Sequence, residues 1–92
     1  MLNLEDARRI LRVSSDALDP EIQMLLDSAR ADMLRAGLPE SVVDGDGPLV
    51  ANAAACWCKA KFGYDNSEAE RFQKDYRDMV CDLLNSSYEV GE

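Results

Sequence analysis

Residues Ala55 to Phe72 read ACWCKAKFGYDNSEAERF, and the fold turns on how this stretch is read. Two cysteines flank Trp57, two lysines follow, Gly63 interrupts, and Ser67-Glu68-Ala69-Glu70 restarts with acid. The first half has helical character through Phe62. Gly63 is placed to stop that helix, and the serine with the glutamate three residues on forms a capping box for the next. On a helix Cys56 and Cys58 stand about 200° apart, so they can neither bridge each other nor grip one ion. A zinc site also needs four ligands, and the chain holds three cysteines and no histidine. The cysteines are expected as small buried hydrophobes, and the stretch as a joint between two helices.

Upstream, the helix from Leu49 to Phe62 is apolar almost all round, with Asn52 and Lys59 as its polar stripe and Lys61 near its end. Such a helix belongs inside a domain or between neighbours. Before it lies ESVVDGDGP, Glu40 to Pro48, part of a flexible connection expected over 37–48. Its Asp-Gly pairs lack the ligand spacing and final glutamate of a calcium loop. The preceding helix is announced by Asp19 as N-cap and Pro20 at the first helical position, and ends at Gly37 before Pro39. Its residues Ile22, Leu25, Leu26, Ala29, Met33 and Ala36 fall within about 100°. A short first helix, capped by Asn3, aligns Leu4, Ala7 and Leu11.

Downstream of the joint, Ala69, Phe72, Tyr76, Met79, Val80 and Leu83 share an arc of about 100°. Glu70–Lys74, Arg71–Asp75 and Lys74–Asp78 support the far side at i,i+4 spacing. Residues 85–92 read as a loose tail. The expectation is an all-α domain over 1–92, a compact bundle of about four helices with a long flexible loop between the second and third.

Composition narrows the function. Eighteen acidic residues against ten Lys and Arg give a net charge of −8, which repels polyphosphate. With no histidine the usual general base is missing, and no nucleophile–base pair is visible. No catalytic residue, cofactor or metal is expected. The N-terminal residues do not read as a signal peptide, and no apolar run approaches the roughly 18 residues of a membrane span. The odd cysteine count suits free thiols in a reducing compartment.

The residues singled out are interface candidates. Arg8, Arg9 and Arg12 form the only dense basic cluster. Met24 and Ala31 leave the second helix away from its main apolar face. Lys59 and Tyr64 belong to the joint, and Cys81 lies about 150° from the centre of the last helix's apolar face. Met24 and Ala31, with Leu34 partway round the same helix and the all-round apolar third helix, describe more apolar surface than one subunit easily hides, which points to association.

MLNLEDARRILRV, DPEIQMLLDSARADMLRAG and CKAKFGYDNSEAERFQKDYRDMV, taken in order, resemble the small head–tail connector proteins of tailed bacteriophages, also called head-completion or adaptor proteins. The likeness runs from Leu2 to about Leu84 and is most specific from Lys59 to Phe72. It implies a helical bundle without catalysis. About a dozen copies would form a ring beneath the portal protein once DNA is packaged, extend the channel and receive the stopper or tail-completion protein. Genomic DNA would pass through without specific binding, and the location would be the virion, reached from the host cytoplasm during assembly. The tail after Leu84 is shorter than the C-terminal arms of some relatives. A phage helix-turn-helix regulator is the other reading of short helices joined by turns, and it requires a basic recognition helix.

Overall fold

A computed structural model of the protein describes residues 1–62 and 67–85. Five helices follow in order: α1 (Leu4–Ile10), α2 (Asp19–Ala36), α3 (Glu40–Val43), α4 (Pro48–Lys61) and α5 (Ala69–Asn85). No strand occurs among the described residues, so the all-α reading holds. The count is five because the connection expected to be a flexible loop carries its own helical turn, α3. That turn buries Val43 completely, and Leu38 just before it is also buried. A four-residue helix has no stability of its own; burial of these two side chains holds it.

The buried residues form two groups. Met33, Leu38, Val43, Val50, Ala53 and Tyr76 belong to the larger, which joins α2, α3, α4 and α5. Ala7, Ile22, Leu26 and Cys58 form the smaller, which seats α1 on α2 and α4. Complete burial of a side chain the size of Ile22 or Met33 contributes about 1.5–3 kcal/mol. α5 runs antiparallel to α4, since Trp57 meets Tyr76 while Lys59 reaches back to Phe72. Alanines 53 and 54, both fully buried, let the helices approach closely on either side of α4.

The helix ends show how local chemistry sets the chain path. Asn3 caps α1 by accepting from the Asp6 N–H at 2.8 Å, as the sequence suggested. Asp19 does not cap α2. Leu18 holds the cap position without a side-chain bond, and Asp19 lies inside the helix, where its carboxylate accepts from Arg8. At the other end Gly37 adopts φ 115, in the left-handed region. Its N–H donates to Leu34 O, and that of Leu38 to Met33 O, the paired bonds of a Schellman turn. α1 closes with the same pair of bonds, from Arg12 N–H to Arg9 O and from Val13 N–H to Arg8 O. Here the left-handed residue is Arg12, at φ 61, and not a glycine.

α5 begins at Ala69, so Glu68 stands where Ser67 was expected to cap. Its carboxylate pairs with Arg71, for which spacing had suggested Asp75. Lys74 and Asp78 do pair, at 2.9 Å. The helix-stopping role of Gly63 and the 86–92 part of the expected tail fall outside the described residues.

Candidate functional site

The cysteine question has a plain structural answer. All three thiols are free; Cys58 is buried, Cys56 partly so, and Cys81 exposed. Burial pushes the Cys58 thiol up to about 11 and also raises Cys56. These two are packing residues of α4.

The aromatic between them does more. Trp57 stands edge-on to Tyr76 at 4.9 Å, and its Nε1–H donates to Ser28 Oγ on α2 at 2.9 Å. The Lys61 ammonium lies 4.3 Å from the indole centroid. Tyr76, nearly fully buried, donates its O–H to Asp32 Oδ2 at 2.7 Å. Burial pushes the Asp32 carboxyl up, but donation from Tyr76 and Arg35 outweighs that and holds it below its usual value. Burial, with Asp32 beside it, drives the Tyr76 hydroxyl the other way and keeps it protonated. Three helices are thus tied by two hydrogen bonds, Trp57 to Ser28 and Tyr76 to Asp32, joined through the ring contact between Trp57 and Tyr76. The sequence marked Tyr76 as an apolar-face residue and gave no sign of the partners that it and Trp57 find on α2.

A second tie fixes α3. Arg30 donates to both Asp44 oxygens, at 2.7 and 2.9 Å, and to Glu40 at 3.0 Å. Its guanidinium holds the Asp44 carboxyl below its usual value. Beside α3, between α4 and the end of α5, lies an open apolar recess of about 350 Å³ lined in part by Val42, Leu49, Val50 and Leu83. Leu49 is 54% exposed at its edge. This surface was not anticipated, because it is made of residues from three separate segments.

The interface candidates are scattered over the molecule. Arg8 is half-buried and bonded to Asp19 at 2.8 Å, tying α1 to α2. Arg9 pairs with Glu5 and Asp6 on its own helix. Arg12 is exposed and has no ion-pair partner among the described residues. Met24, 71% exposed, and Ala31 form an outward stripe on α2. Lys59 is half-buried with its ammonium 5.5 Å from the Phe72 ring. Cys81 is exposed on α5, nine residues and about 13 Å along the helix from Phe72. Tyr64 lies outside the described residues. Arg12 belongs to the α1–α2 end of the molecule and Cys81 to the opposite end, so the candidates do not converge on one patch.

α4 would be the recognition helix of a DNA-binding regulator. It is packed against α1, α2 and α5, and its lysines, Lys59 and Lys61, lie over aromatic rings. Major-groove reading needs an exposed helix face with side chains free to reach base edges. The buried face of α4 offers none.

A family profile described as phage connector protein matches residues 4–90. No curated protein and no solved structure matches. The match spans nearly the whole chain, includes all five helices, and agrees with the resemblance carried by the joint from Lys59 to Phe72. The chain therefore belongs to the phage connector protein family, structural components of the virion that act together with other head and tail proteins.

Proposed function

We propose that the protein is the adaptor that assembles as a ring beneath the portal after DNA packaging. The ring lengthens the channel and offers a docking surface to the stopper or tail. Family membership over residues 4–90 is the observation that carries this reading. The surface supports it. Met24 and Leu49 are large apolar side chains left more than half exposed, on different elements, as subunits meeting through unlike faces require. A net charge of −8 disfavours any grip on DNA moving through the channel. Among the interface candidates, Arg12, Met24, Ala31 and Cys81 face outward and are available to a neighbouring subunit or the portal. Arg8 and Lys59 are engaged within the subunit and shape it.

The test is mass measurement of the protein alone and mixed with the portal protein of the same genome. A complex containing a fixed multiple of this subunit is expected. A strict monomer that leaves the portal unchanged overturns the proposal.

A further inference from the structure

We propose that Asp46-Gly47, in the loop before α4, is a site of spontaneous isoaspartate formation, and that the fold protects Asp44-Gly45 from the same reaction. The chemistry needs only the subunit and water, and it holds whether or not subunits form a ring.

The run DGDG, residues 44–47, sets two aspartates each before a glycine. In such a pair the glycine nitrogen can attack the aspartate Cγ, because no side chain on the following residue blocks its approach. The new Cγ–N bond closes a five-membered succinimide while the nitrogen gives up its proton and the carboxyl its hydroxyl, which leave as water. A second water then reopens the ring. Where it cleaves the bond from that nitrogen to the backbone carbonyl carbon, the chain afterwards runs through Cγ as isoaspartate. The backbone is one methylene longer, and nothing has been oxidised or reduced.

The structure treats the two pairs differently. Both Asp44 carboxylate oxygens accept from Arg30, at 2.7 and 2.9 Å, and the guanidinium keeps the group in its unreactive ionised form. The Gly45 N–H is engaged as well, donating to Val42 O at 3.2 Å, and the Gly45 carbonyl accepts from the Met1 ammonium. Asp44 closes α3 at ψ 0, which turns the Gly45 nitrogen away from Cβ, whereas ring closure needs the two eclipsed. A Cβ on Gly45 would stand 2.9 Å from Ser41 O, so that segment is also crowded. Asp46 is exposed on the rim of a small polar pocket, and its carboxylate has no hydrogen bond or ion pair among the described residues. The Gly47 N–H has no acceptor among them either. Nothing lies within 4 Å of the place a Gly47 Cβ would take. Nitrogen, carboxyl and surrounding space are thus held at the first pair and free at the second.

The position gives the reaction a consequence. Gly47 is the N-cap of α4, and Gly45 and Gly47 border both the apolar recess and the polar pocket. An added methylene just before the cap displaces a wall of the recess and brings the carboxylate onto a shorter stem. Subunits of a virion are not replaced once assembled, so converted copies accumulate as the particle ages.

The test incubates the folded full chain at neutral pH, below its unfolding midpoint. Isoaspartate is counted by enzymatic methylation of its carboxylate and located by peptide mapping, with the succinimide seen as a species one water lighter. Conversion at Asp46 is expected to run about tenfold faster than at Asp44, where two charge-assisted bonds must first break. The same chain unfolded in urea converts at both pairs at similar rates, which places the difference in the fold. Gly47→Thr slows conversion at Asp46 about tenfold, because a branched side chain crowds the attacking nitrogen. It leaves the midpoint nearly unchanged, since φ −63 suits threonine and threonine caps a helix about as well as glycine. Equal conversion of the two pairs in the folded chain overturns the proposal. So does an unconverted Asp46 in a chain that converts when unfolded, or a Gly47→Thr variant that converts as fast as the wild type.

Discussion

Tyr76 and Asp32 are 44 positions apart, yet the Tyr76 O–H donates to the Asp32 carboxylate at 2.7 Å and links α5 to α2. Because the carboxyl is held below its usual value in the folded chain, it stabilises the fold fully above the ordinary carboxylate range. That contribution is lost as pH falls through the depressed folded value. Tyr76→Phe removes the donor while keeping the ring against Trp57. It is expected to lower stability by about 1–2 kcal/mol at neutral pH, read as a lower urea midpoint with an unchanged slope. The same variant flattens the acid limb of the stability profile. An unchanged acid limb would mean that Arg35 alone holds the carboxylate.

At the scale of elements, α1 and α2 end with one hydrogen-bonding pattern and two different residues. Gly37→Ala places a methyl 3.5 Å from Leu84 Cδ2, an ordinary contact, so its cost comes from the backbone at φ 115. A loss of about 1 kcal/mol in a thermal or urea melt is expected. Arg12→Gly, at φ 61, is expected to shift the same melt in the opposite direction, because glycine adopts the left-handed backbone without a side-chain penalty.

The elements also differ in how legible they were. The buried faces of α2 and α5 could be read because Ile22, Leu26, Ala29 and Met33, and likewise Tyr76, Val80 and Leu83, recur at helical spacing. α3 could not, because four residues carry no period and Val43 is placed by a core built from other segments. Asp19 misled as a cap because a carboxylate one residue inside the helix looks identical in sequence. What separated the two was Arg8, which draws it sideways. The Ser28–Trp57 and Tyr76–Asp32 bonds join residues 29 and 44 apart, beyond any local pattern. Of the surface, Met24 and Cys81 were legible as departures from an apolar face. The recess was not, since its walls meet only after folding.

For the whole molecule the dominant facts are acidity and uncovered apolar surface. A chain of net charge −8, whose lysines on α4 already lie over aromatic rings, should not retard duplex DNA in a gel at roughly physiological salt. A shift at micromolar protein would contradict a channel that lets DNA pass. The same acidity works against self-association, since identical subunits repel. In the proposed ring, apolar contacts such as those offered by Met24, Leu18 and Leu49 would have to outweigh that repulsion, and a portal that gathers the subunits would lower the concentration they need.

The lone tryptophan occupies a telling place. Trp57 touches α5 through Tyr76, α2 through Ser28, and a lysine ammonium above its ring. Its emission is therefore a built-in gauge of how tightly three helices are clamped. Loosening them exposes the indole to water and moves its colour to the red. The clamping of each subunit can thus be followed by light alone, in solution or in an assembled particle carrying this chain's only indole.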